Sequence, residues 1–142
     1  MDIVSKNGNL LLNVPPKADG TLDERTEEIL SAVGRWMDMN GEAIYCTRPW
    51  VKYGEDNLRF TRKDEILYVI TLEWPGAGRS LDISSLGGNQ GVGKISEVTM
   101  LGHHEKLTWE QNSEGLRIVL PVSPACEHAQ SFRVVFPGGI EK

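Results

Sequence analysis

Two carboxyl groups held close together can act as acid and base on one substrate, and the sequence carries two adjacent pairs, Asp23/Glu24 and Glu27/Glu28. Both open a stretch of helical periodicity, where acidic side chains suit the positive end of the helix dipole and stay solvated. A structural role therefore outweighs a catalytic one. His103-His104-Glu105 has the residue types of a metal site. Adjacent residues on an extended chain point to opposite faces, and the only further histidine is His128, so exposed imidazoles on a turn are expected and no metal or cofactor site. The stretch Gly87-Gly88-Asn89-Gln90-Gly91-Val92-Gly93-Lys94 imitates a phosphate loop but lacks its spacing and a following helix. Trp50, Trp74 and Trp109 could stack on sugar rings, but in a small domain such residues belong more often to a core or interface. Arg48 could pair with a carboxylate across a junction. Cys46 and Cys126 match no metal spacing and no disulfide framework, which leaves pairing open.

The elements that must position these residues fall into two parts. Over residues 21–40, Ile29, Leu30, Val33, Trp36 and Met37 recur at helical spacing. Thr21 and Glu24 have the spacing of a capping box, and Asn40-Gly41 is a left-handed stop. Before the helix, Asn9-Leu10-Leu11-Leu12-Asn13-Val14 is a short apolar run, closed by Pro15-Pro16, that reads as a strand buried on both faces. Strand, loop and helix make one βα unit, whose parallel neighbours this sequence does not supply.

After Trp50 the period changes to two. About seven short strands are expected, near Leu58, Ile66, Leu81, Ile95, Leu107, Leu116 and Phe132, and residues 84–93 form a long Gly/Ser-rich loop. The fold class is mainly β: an antiparallel β-sandwich (residues 51–142) preceded by a residual βα unit (residues 1–50). The chain has 142 residues, 15 basic and 20 acidic, for a net charge of −5. That balance excludes a phosphate-tracking nucleic-acid binder. No run approaches the roughly 18 apolar residues of a membrane span, and residues 1–6 show no leader signal.

Two stretches resemble a known family. Asp2-Ile3-Val4-Ser5-Lys6-Asn7-Gly8-Asn9-Leu10-Leu11-Leu12-Asn13, followed by Asp19-Gly20, is similar to the last βα unit of the barrel of family 29 glycoside hydrolases, the α-L-fucosidases. Trp36, Asn40-Gly41-Glu42-Ala43-Ile44-Tyr45 and Thr47-Arg48-Pro49-Trp50 resemble the end of that barrel's last helix and its exit. The later half resembles the family's C-terminal domain at Leu107-Thr108-Trp109 and Gly115-Leu116-Arg117-Ile118. Pro15 and Cys46 stand where the family commonly has glycine.

The resemblance implies a retaining glycosidase on a (β/α)₈-like barrel, with nucleophile and acid/base on earlier barrel segments. Such enzymes need two carboxyl groups about 5–5.5 Å apart, so this chain by itself is expected to be inactive. Barrel active sites use the C-terminal ends of strands, which makes Asn13 and Lys17 the substrate-adjacent residues expected in an intact barrel. The partner implied is a fucosylated glycan bound through the barrel. With its neighbours missing, the run from Asn9 to Val14 is expected to self-associate or fold back on the sandwich. A free-standing carbohydrate-binding module or an inactive remnant is the alternative.

Overall fold

The computed structural model describes residues 1–140. A helical turn, α1 (Asp2–Ser5), opens the chain, and helix α2 (Glu24–Asn40) follows after an irregular segment. Eight strands come next: β1 (Arg48–Glu55), β2 (Leu58–Lys63), β3 (Ile66–Thr71), β4 (Ser80–Ile83), β5 (Glu97–Met100), β6 (Thr108–Gln111), β7 (Leu116–Val119) and β8 (Gln130–Val135). They form a five-stranded sheet, β1-β2-β3-β8-β5, and a three-stranded sheet, β4-β7-β6. Every pairing is antiparallel, and the two sheets enclose the main core, as the alternating pattern predicts.

Strand β1 was not among the expected strands. Its Arg-Pro-Trp-Val-Lys-Tyr-Gly-Glu sequence does not alternate cleanly, and its register slips between Pro49 and Gly54. Proline, lysine and an irregular ladder are what an edge strand tolerates. The central β3 is the opposite case. Leu67 and Val69 join Phe60, Phe132 and Val134 in the core between the sheets, while Tyr68 and Ile70 join Trp36, Ala43 and Ala129 on the outer face. Burial on both faces explains its unbroken apolar run. Gly87 and Gly115 permit another close approach: a Cβ on Gly87 would lie 2.6 Å from the Ser113 carbonyl oxygen, and one on Gly115 would lie 2.8 Å from that of Ile83.

Helix α2 forms as expected, with different ends. Its N-cap is Asp23, whose carboxylate accepts from the Thr26 N–H at 3.0 Å and the Thr26 hydroxyl at 2.5 Å. The Thr21/Glu24 capping box does not form. Thr21 instead donates its N–H and hydroxyl to Asp19 Oδ1, at 3.0 and 2.7 Å. An ionised carboxylate accepts more strongly than a hydroxyl, so Asp23 fixes the start of the helix. The stop at Asn40-Gly41 also moves. Gly41 is right-handed, with φ of −59°, and the chain runs on through a 3₁₀ turn, Gly41–Ala43. The left-handed residue is Cys46, with φ of 60°. Packing carries the turn onward: Ala43 is fully buried, and its carbonyl accepts from the buried Thr61 hydroxyl at 2.6 Å.

The strand expected over residues 9–14 is absent. The segment is irregular and makes no backbone–backbone hydrogen bond among the described residues. A parallel strand exists only through its neighbours, and none lies beside it here. Nor has it joined either sheet, since among the described residues both are composed of β1–β8.

Candidate functional site

The segments flanking residues 9–14 are each anchored to the five-stranded sheet. On one side, Asp2 accepts from Arg59 Nε at 2.5 Å and from Lys6 Nζ at 2.8 Å. Both cations lie over the Tyr53 ring, Lys6 at 4.8 Å and Arg59 at 5.8 Å from its centre. Two cations beside it hold the Asp2 carboxyl below the usual range, the Lys6 and Arg59 hydrogen bonds being the main causes. This clasp, built from residues 57 positions apart, left no periodic trace in the sequence.

On the other side, the C-terminal half of α2 docks. The Trp36 indole N–H donates to the Ala129 carbonyl at 2.7 Å, and the side chain is 8% exposed. The Tyr68 hydroxyl donates to Glu42 at 2.7 Å, and Arg133 links Glu42 (3.5 Å) with Glu97 (3.1 Å). Burial first, then the neighbouring Glu42 carboxylate, pushes the Tyr68 phenol well above its ordinary value. These pairs, not Arg48, bridge the junction. Arg48 turns back to the Thr47 carbonyl, at 2.9 Å.

Between the two anchors lies a groove of about 1010 Å³ lined by Ile3, Leu10, Ile29, Val33, Met37 and Tyr45, among others. Its walls are open: Leu10 is 65% exposed, Ile29 and Val33 47% each. Beside it Leu11 is 93% exposed and Leu12 51%. The α2 stripe read from the sequence is thus divided, with Trp36 packed on the sheet and Ile29 and Val33 uncovered. Contiguous exposed apolar surface of this kind marks an interaction face.

Among the described residues, no carboxylate pair converges on the groove. Asp23 is occupied as a cap, and Glu24, Glu27 and Glu28 are exposed, Glu28 lying 3.5 Å from Arg25. Asn13 and Lys17 are exposed on the irregular segment. The Lys17 N–H donates to the Thr21 carbonyl (2.7 Å) and its carbonyl accepts from Gly20 (2.9 Å), closing a turn. His104 is exposed and His103 half-buried on the turn after β5. No group of three His, Cys, Asp or Glu side chains among the described residues could hold a metal. Trp50 is buried edge-on against Phe60, and Trp74 and Trp109 pack half-buried on the core. Cys46 and Cys126 are free thiols. No helix among the described residues is long and apolar enough to cross a membrane.

Comparison with known proteins gives two matches in series. Residues 1–42 match the family profile described as "Alpha-L-fucosidase", and residues 53–136 match "Alpha-L-fucosidase C-terminal domain". The chain belongs to the α-L-fucosidase family. The tissue α-L-fucosidase of Bos taurus is 40% identical over 124 residues, covering 85% of this chain and 25% of its own length. The human plasma α-L-fucosidase is 36% identical over 129 residues, with 85% and 26% covered. Among solved structures, a Thermotoga maritima α-fucosidase in complex with a mechanism-based inhibitor superposes with a TM-score of 0.79 at 31% identity, covering 94% of this chain and 32% of that one. The α-L-fucosidase isoenzyme 1 of Paenibacillus thiaminolyticus gives 0.78 at 26% identity, with 99% and 32% covered. The chain spans about a quarter of the length of the curated relatives it matches. The groove walls of α1, Leu10 and α2 lie in the first fucosidase match, and β2 to β8 lie in the second.

Proposed function

We propose that this chain is the C-terminal part of an α-L-fucosidase that releases α-L-fucose from glycoconjugates, with residues 1–50 completing the catalytic barrel and residues 51–142 bracing it. One observation carries the reading. The open apolar groove is built largely from the stretch that matches the α-L-fucosidase profile, while the relatives hold most of their length outside the matched region. Exposed leucines and isoleucines at this density call for a covering surface. Covered by the barrel, residues 9–14 gain strand neighbours, and Asn13 and Lys17 then lie beside the fucosylated glycan at the strand's C-terminal end. Left uncovered, the same run from Asn9 to Val14 pairs with a second copy of the chain.

The test is a chimera in which this chain replaces the matched stretch of the Thermotoga maritima enzyme. Hydrolysis of an aryl α-L-fucoside is expected from the chimera and not from the 142-residue chain alone. A chimera that folds, as judged by circular dichroism, but neither binds fucose nor turns over would refute the reading.

A further inference from the structure

A second concavity, of about 240 Å³, lies between β1 and the loop after β4, lined by Trp50, Lys52, Ser84, Ser85, Gln90 and Val92 among others. It shares no lining residue with the groove. Trp50 is 6% exposed, and its indole N–H finds no acceptor among the described residues. The neighbouring polar groups, by contrast, are firmly placed. Glu55 Oε2 accepts from Lys52 Nζ at 2.7 Å, from the Ser85 N–H at 3.2 Å, from the Ser84 hydroxyl at 3.3 Å and from the Ser85 hydroxyl. Lys52 Nζ also donates to Ser85 Oγ at 2.6 Å. One carboxylate, only 9% exposed, thereby orders three of the lining side chains, the arrangement a binding site needs from its supporting residues.

The chemistry of the cleft limits its ligand. The Lys52 charge is matched by Glu55, so no net charge is left over to select an anion. Lys52 keeps one N–H beyond its two bonds, Ser84 Oγ keeps its acceptor lone pairs while its proton goes to Glu55, and the Gln90 side-chain amide has no partner among the described residues. Trp50 and Val92 supply apolar wall. The volume is below the roughly 300 Å³ at which drug-sized sites begin, which leaves room for a single ring. We propose that this cleft binds one neutral, hydroxyl-rich pyranose unit, with sugar oxygens accepting from Lys52 and Gln90 and a sugar hydroxyl donating to Ser84 Oγ. The proposed fucosidase reading supplies the source, a non-reacting sugar of the same glycan.

The four tryptophans give four indole N–H resonances, and Trp50→Phe identifies that of Trp50. The 142-residue chain is titrated with L-fucose and, separately, with glycerol as a small polyol lacking the ring. The Trp50 signal is expected to shift saturably with L-fucose alone. Ser84→Ala and Gln90→Ala, both at exposed side chains, should each weaken binding by up to about tenfold, one hydrogen bond's worth. An unmoved Trp50 signal, an equal response to glycerol, or an affinity unchanged in both variants would overturn the site. The titration does not depend on catalysis, so an inactive chimera leaves its outcome untouched and the two proposals fail separately.

Discussion

At the scale of single residues, Trp36, Cys46 and Glu55 each test a different physical term. Trp36 combines apolar burial with a hydrogen bond to the Ala129 carbonyl. Trp36→Ala should cost on the order of 3 kcal/mol in urea denaturation. Trp36→Phe, which keeps most of the apolar area but leaves the carbonyl without its donor, should cost about 1 kcal/mol from that loss alone. An unchanged midpoint in the alanine variant would mean that α2 does not dock. Cys46 sits at a φ of 60°, in a region costly to side chains bearing a Cβ. Glycine removes that strain, partly offset by its greater freedom in the unfolded chain. Cys46→Gly should therefore raise stability by about 0.5–1 kcal/mol, read from the denaturant midpoint. For Glu55, burial raises the carboxyl, but the Lys52 ammonium and the Ser85 hydroxyl and N–H outweigh it and hold it below 4.5. A carboxyl depressed in the folded state contributes stability that is complete above its unfolded value and is lost as pH falls through the folded one. The wild-type chain should accordingly lose stability on acidification below about pH 4.5, and Glu55→Gln should flatten that part of the Tm-against-pH profile.

At the scale of elements, the two helical segments are attached unequally along their lengths. The C-terminal half of α2 is pinned by Trp36, Asn40 and the following Ala43, all buried, whereas its first turns carry Glu24, Glu27, Glu28 and Ile29 in solvent. Amide exchange should therefore be slow near Trp36 and Asn40 and fast over the first two turns, since local opening follows the density of buried contacts. Uniform protection along α2 would count against the uncovered groove. α1 is too short to stand alone and depends on its clasp. Arg59→Ala removes the partner that ties Asp2 to β2 and should loosen residues 1–8 selectively, seen as faster exchange at the Ser5 and Gly8 amides with the β3 and β8 amides unchanged.

At the scale of the whole molecule, a well-packed sandwich carries an uncovered apolar flank. The five-stranded sheet is filled on both faces around β3, and its outer face is covered by the C-terminal half of α2 and by α1, with the apolar groove open between them. The chain on its own should associate through Leu10, Leu11 and Leu12, with light scattering giving a mass that grows with concentration. Leu11→Lys should shift it toward monomer, because a charge on a 93% exposed side chain opposes burial between copies without touching the sandwich. A wild-type chain that stays monomeric at high concentration would remove this expectation and leave the barrel surface as the groove's partner.

Sequence alone determined the elements whose order is local. The helical spacing of Ile29, Val33, Trp36 and Met37, the alternation in residues 95–101 and 116–120, and the turn residues between strands are properties of neighbouring positions, so α2, β5 and β7 were legible to within a few residues. Family membership was legible as well, because it rests on ordered motifs. What the sequence misplaced were choices between near-equal local partners. Asp23 rather than Thr21 caps the helix, and Cys46 rather than Gly41 turns the chain. β1 was hidden because an edge strand need not alternate. The tertiary structure alone decided three things. Residues 9–14 have the composition of a strand but form none, since a strand's hydrogen bonds are made by its neighbours and not by its own sequence. The apolar stripe of α2 divides into a docked half and an open half, because only a folded sheet sets where the helix touches. The cleft beside Trp50 unites Lys52 and Ser85, 33 positions apart, around Glu55, a convergence that no spacing along the chain encodes.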